Sequence, residues 1–155
     1  MKATILYKAN NRKNKKTSVF SSSHLLKFFM FPFFKGCIYP KTITQIINGN
    51  DSCIIIEGFF DYLSFLMLYP DRVRNHDFII LNSTSLIKST IPILNTYNKI
   101  FLFLDNDKTG EKTTSFIETN CSCNSINCSF LYRGYSDINE YLMKHITNDL
   151  NCSSY

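Results

Sequence analysis

Two acids separated by one residue, Asp105 and Asp107, close a run of five apolar residues at 100–104. A run of that length and texture reads as a strand buried on both faces, as in a parallel sheet. Carboxylates at the carboxyl end of such a strand stand where open α/β sheets bind ligands. Two acids so spaced can reach one hard cation through oxygen. Asp, Asn and Gly also favour turns, so Asp105-Asn106-Asp107 with Gly110 has a plain structural reading as well, but a turn does not need both acids. A second strand-like run, 53–56, ends on Glu57. In one parallel sheet, right-handed crossovers put both carboxyl ends on the same edge, so Glu57, Asp105 and Asp107 are expected to converge. Three packed carboxylates repel unless a cation neutralises them. Mg²⁺ (or Mn²⁺) suits such a site, because Mg²⁺ takes one or two carboxylates and keeps waters for a phosphate substrate. A bound ion can then polarise a phosphoryl oxygen or hold a nucleophile.

Two further acids have two readings each. Asp61 lies four residues after Glu57, in the first turn of a helix expected over 59–69, where it either favours the helix dipole or joins the site edge. Asp137 either caps the last helix or faces the site from the end of the fourth strand.

The elements that must position these acids follow from periodicity and stop signals. After a turn at Asn48-Gly49-Asn50, strand 53–56 leads to a helix with Leu63, Leu66 and Met67 on one side, stopped by Pro70. A second strand is expected at 77–81. The polar cluster 82–85 can cap a helix over 86–97 that is kinked or restarted at Pro92. The third strand is 100–104, followed by a helix over 110–119, and the fourth strand is 127–132. Asp137 and Glu140 form a capping-box pattern opening a short helix over 137–144. Strands alternating with helices imply a mostly parallel four-stranded α/β sheet flanked by helices. Residues 44–47 read as a short turn.

Length and charge narrow the function classes. A chain of 155 residues, 45% hydrophobic and 15% aromatic, makes one globular domain. Residues 1–50 hold nine Lys or Arg and no acid, whereas 51–155 hold eight bases against twelve acids. A basic front on an acidic domain fits a polyanionic partner, equally with a solvated leader. Residues 1–35 are therefore assigned as a basic, flexible leader, with Arg12, Lys13, Lys15 and Lys16 as candidate nucleic-acid contacts. The domain is assigned to 36–150 and a tail to 151–155. The apolar run at 25–34 is too short, and too broken by Lys27 and Pro32, to span a bilayer. Of six cysteines, Cys121, Cys123 and Cys128 lack the paired spacing and nearby His of a zinc site. A reduced, cytoplasmic protein is the simplest account.

Together, Glu57-Gly58-Phe59-Phe60-Asp61 and Asp105-Asn106-Asp107-Lys108-Thr109-Gly110 resemble the Toprim domain, shared by bacterial-type primases, type IA and type II topoisomerases and some nucleases. The E-G-x-x-D and D-x-D-x-x-G forms are most similar to the primase branch, and Ser136-Asp137-Ile138-Asn139-Glu140 is similar to its Asp-x-Asn motif. The resemblance covers about 35–145 and implies a Rossmann-like Toprim fold. It also implies Glu57 as an acid/base or metal-linked residue, Asp105 and Asp107 as a metal-binding pair, and Asp61 and Asp137 as secondary acids. The function it implies is Mg²⁺- or Mn²⁺-dependent nucleotidyl transfer on single-stranded DNA with nucleoside triphosphates, in replication of a plasmid or mobile element. Residues 1–50 contain one Cys and one His, so a zinc finger, like a helicase, would be a separate partner.

Four other readings compete. A Toprim-type nuclease or a non-catalytic nucleic-acid-binding fragment would keep the same fold. A haloacid-dehalogenase-type phosphatase shares D-x-D-x-T, with Asp105 as nucleophile and Asp107 as acid, but that motif normally follows the first strand. An EF-hand loop fits Asp105, Asp107, Thr109 and Gly110 and fails at its twelfth position, Phe116, where a bidentate Glu is required.

Overall fold

The computed structural model describes residues 42–152, with side chains through residue 145. A five-stranded sheet holds β1 (Thr44–Ile46), β2 (Ser52–Ile56), β3 (Asp77–Ile80), β4 (Lys99–Phe103) and β5 (Asn124–Asn127) in the order β1-β3-β2-β4-β5. All neighbours are parallel except β1, which runs antiparallel to β3. Four helices connect or follow the strands: α1 (Phe59–Leu68), α2 (Ile87–Leu94), α3 (Lys108–Asn120) and α4 (Ile138–Cys152).

The central strands explain their own composition. Successive side chains alternate between faces, and in β2 both faces are covered. Ile54 and Ile56 enter a core with Phe65, Phe78 and Tyr132, while Cys53 and Ile55 enter a second core with Leu94, Leu102 and Ile117. The first core lies under α1 and α4, the second under α2 and α3. In α1 the buried side is Tyr62 to Phe65. Leu63 is in it and Leu66 packs against it, but Met67 is 54% exposed, off the inward face.

Four expectations are corrected. Residues 44–46 are a strand rather than a turn, so the sheet has five strands. Three residues are too few to display a period, and pairing with β3, Thr44 opposite Ile80 and Ile46 opposite Phe78, is what fixes them. The fourth strand expected at 127–132 is displaced to Asn124–Asn127, and Ser129–Tyr132 forms a 3-10 turn. As an edge strand paired only with β4, β5 needs no apolar run. The helix expected over 86–97 is the shorter Ile87–Leu94, led by a 3-10 turn at Thr84–Leu86. The final helix extends to Cys152.

Polar clamps close the edge. Asp77, 3% exposed, accepts from the backbone N–H groups of Asn48 and Asn50 and from the Tyr97 hydroxyl. Asn82 sits in the left-handed region at φ 55°, a conformation its short amide tolerates. Its Nδ2 donates to the Thr42 carbonyl and the Thr44 hydroxyl at 2.8 and 3.0 Å.

Gly110, expected to open its helix, is instead the third residue of α3, which starts at Lys108. It is buried, and a Cβ there would collide with the carbonyl oxygen of Asp105. Gly→Ala inside a helix ordinarily stabilises by up to about 1 kcal/mol. Here Gly110→Ala should destabilise by about 2–3 kcal/mol through overpacking, measured by urea unfolding. An unchanged or higher midpoint would show that the helix start shifts freely.

Candidate metal and nucleotide site

The site is built where β2 and β4 lie side by side. Their register pairs Ile56 with Phe103, so the chain leaves both strands at one edge and delivers Glu57 and Asp105 there. The turn after β4 is tight. Asp107 Oδ1 accepts from the backbone N–H groups of Thr109 and Gly110 at 2.8 and 2.7 Å, which makes it the N-cap of α3. Asp61, in the first turn of α1, folds back over Gly58, whose missing Cβ leaves room for it.

Asp137 arrives from the start of α4. Its Oδ1 accepts from the Glu140 N–H at 2.6 Å, while Glu140 Oε2 accepts from the Ser136 N–H and hydroxyl, both at 2.8 Å. The capping box expected at this position is therefore formed with its return bond shifted one residue outward. Ser64 of α1 donates to Asn139 Oδ1 at 3.0 Å, tying α4 to α1 beside the acids.

Sequence reasoning missed the work done by Asn106. Its Nδ2 donates to the carbonyls of Tyr132 and Tyr135 at 3.1 and 3.0 Å, with a longer contact to Ser129, and its backbone N–H donates to the Ser136 carbonyl at 2.7 Å. The Tyr132 hydroxyl donates to the Leu104 carbonyl at 2.7 Å. The connection from β5 to α4 is thus pinned to the acidic turn. The only sequence signal was that Asn106 lies between two acids, where its amide read as a turn former.

Electrostatics bind the five acids into one cluster. Burial pushes the Asp105 carboxyl up to about 8, reinforced by Glu57, Asp61, Asp137 and Asp107. Burial likewise raises Asp61 to about 6, reinforced by Asp137 and Glu57 against hydrogen bonds from the backbone of Asn139 and Gly58. Glu57 is raised by burial, partly offset by the backbone N–H of Asp105, and raised again by Asp107 and Asp137. No Lys or Arg among the described residues offsets these shifts. Glu57 Oε2 is buried without a hydrogen-bond partner.

An unpartnered buried carboxylate oxygen among four further acids is a hard, oxygen-only donor set that fits Mg²⁺ or Mn²⁺. As the side chains stand, no group of three His, Cys, Asp or Glu among the described residues is placed to hold a metal ion. Glu57, Asp105 and Asp107 are the residues that would supply oxygens to one. Cys121 and Cys123 lie elsewhere, with sulfurs 3.3 Å apart and packed on the α2/α3 core, whereas Cys128 belongs to the opposite core. Arg12, Lys13, Lys15 and Lys16 lie outside the described residues.

A Toprim-like family model matches residues 54–142, more than half of the chain. The chain belongs to the Toprim-like family. This Toprim domain is similar in fold to the primase fragment of the bacteriophage T7 primase-helicase protein, with a TM-score of 0.53 at 16% identity over 72% of this chain and 48% of that one. It is also similar to a chain of the T7 assembly in which lagging-strand DNA polymerase interacts with primase domains bound to an RNA/DNA hybrid and dTTP. There the TM-score is 0.52 at 18% identity, over 70% of this chain and 58% of that one. The chain thus spans about half the length of the T7 chains it matches. No curated protein matches it. No helix among the described residues is long and apolar enough to cross a membrane.

The raised carboxyls have a consequence for stability with a definite sign. Asp105 takes up its proton more readily folded than unfolded, where its value is near ~3.9. Its contribution is therefore fully present below about pH 4 and is lost as pH rises through about 8. In chelator, the melting temperature should fall between pH 5.5 and 8.5. Asp105→Asn should flatten that fall by at least ~4 °C, the effect of about 1 kcal/mol in a domain of this size. The exposed Glu118→Gln should leave the profile unchanged. An Asp105→Asn profile as steep as the wild type would remove Asp105 from the cluster.

Proposed function

We propose that this Toprim domain is primase-type, carrying out Mg²⁺- or Mn²⁺-dependent nucleotidyl transfer on single-stranded DNA in replication of a plasmid or mobile element. One observation carries the reading: five acids from three segments meet at one sheet edge around a buried, unpartnered Glu57 oxygen, and no Lys or Arg among the described residues offsets their raised carboxyls. The fold likeness to T7 primase chains supports the primase branch.

In this reading Glu57, Asp105 and Asp107 would hold the divalent ion. When bound, the ion supplies charge neutralisation at phosphoryl oxygens and activates a hydroxyl. The chain's own work is positioning. The cap bonds of Asp107 fix its carboxylate at the start of α3, and Asn106 holds the β5–α4 connection against the same turn. Glu57, whose carboxyl burial raises above its ordinary value, is the residue of this reading that would hold a proton at the edge. Asp61 and Asp137 add negative charge that strengthens the demand for a cation. Single-stranded DNA and nucleoside triphosphates are the substrates in this reading, with a helicase or a zinc-finger protein as partner and the cytoplasm as location.

The test incubates the full chain with single-stranded DNA, nucleoside triphosphates and Mg²⁺ or Mn²⁺. Short metal-dependent products are expected, reduced at least ~100-fold by Glu57→Gln. Asp107→Asn keeps a good N-cap, so it should melt within about 2–4 °C of wild type in chelator yet respond less to Mg²⁺. Nicking or degradation of DNA without products would assign a nuclease. No products and no Mg²⁺ response would leave a binding module.

The basic leader is read as a source of non-specific affinity. Arg12, Lys13, Lys15 and Lys16 would release counterions on binding phosphate. Removing residues 1–35 should weaken DNA binding and flatten its dependence on salt. An unchanged slope would mean these bases do not touch the strand.

A further inference from the structure

A cleft of about 360 Å³ opens beside Asp105, and most of its lining has no part in the acidic cluster. Glu111 of α3 contributes to it, and Asn127, Ser129, Phe130 and Arg133 come from β5 and the connection that follows. Phe130 is 62% exposed, although its neighbours Cys128 and Tyr132 are buried. A lone exposed aromatic is ordinary on a protein surface. This one differs in its setting. The turn that carries it is fixed from below by the Tyr132 hydroxyl bond to Leu104, by Asn106, and by Asn127 Oδ1 accepting from the Ser129 N–H at 2.9 Å. The ring is therefore held out beside the acidic turn by a pinned backbone.

The lining also divides by charge. Asp105 and Glu111 repel a bare phosphate at their end. Arg133 is the cation of the cleft among the described residues. A flat aromatic face, a guanidinium suited to paired phosphate oxygens, and the hydrogen-bonding side chains of Asn127 and Ser129 match a nucleobase that carries a phosphate. Base stacking on an aromatic side chain needs no particular sequence.

We propose that this cleft seats one nucleotide unit, with its base stacked on Phe130 and its phosphate paired with Arg133. The proposal rests on the nucleotidyl-transfer reading and gives that reaction a substrate position on the β5 side of the acids. Two sources share the chemistry, a free nucleoside triphosphate and one nucleotide of a single strand.

The test uses the full chain with Mg²⁺ and two probes, a 2-aminopurine nucleoside triphosphate and an oligothymidylate carrying one 2-aminopurine, whose fluorescence falls on stacking. Phe130→Ala should weaken binding of at least one probe about 5- to 100-fold, while Phe130→Tyr should retain it. Arg133→Gln should weaken the same probe and lower its salt slope by about one. Loss confined to the triphosphate identifies a substrate-nucleotide seat, and loss confined to the oligonucleotide identifies a strand seat; either supports the proposal. Binding of neither probe, or binding unchanged in both Phe130→Ala and Arg133→Gln, overturns it. Melting of wild type and variants with and without Mg²⁺ separates the two readings. Binding that depends on Phe130 without any Mg²⁺ response removes the metal reading and leaves the cleft. A normal Mg²⁺ response with binding independent of Phe130 removes the cleft and leaves the metal reading.

Discussion

The approach of α3 to the end of β4 sets the geometry of everything at the acidic edge. Because Gly110 has no side chain, the first turn of the helix rests on the Asp105 backbone. Three consecutive residues are then committed to different tasks. Asp105 remains at the strand end with the other acids, Asn106 turns toward the β5–α4 connection, and Asp107 caps the helix. A bulkier residue at 110 would move the helix start, and all three side chains would move with it.

The same edge concentrates unfavourable energy. Burial and mutual repulsion both act against ionised carboxylates at Glu57, Asp61 and Asp105. The surrounding sheet can sustain this because its central strands are covered on both faces and its helices are tied together by bonds such as Ser64 to Asn139. Well-packed cores on either side hold apart groups that would relax in a looser protein. Such a site gains most from a partner that brings positive charge.

Much of this was legible in the sequence, and the exceptions have physical causes. Strands β2 and β4 announce themselves as unbroken apolar runs because both their faces are buried. The acids at their ends could be placed on one edge because parallel strands with right-handed crossovers leave little freedom. Strand β1 was hidden because its stability comes from β3, thirty-odd residues later, and not from its own three residues. Strand β5 was misplaced because the apolar residues Phe130 and Leu131 drew the reading forward, although both are exposed and the real strand is the polar Asn124–Asn127. Asn106 was undervalued because an amide that donates to several distant carbonyls looks, in sequence, like any turn residue.

The antiparallel edge strand also closes an edge. β1 precedes β2 in the chain but pairs beyond it, on the far side of β3. β3 is buried along its whole length, and without β1 its outer side would be an open apolar edge able to pair with another chain. The Asp77 bonds to Asn48 and Asn50 and the Asn82 bonds to Thr42 and Thr44 tie the segment that carries β1 to the two ends of β3. They act as a latch that keeps this edge out of reach of a second chain.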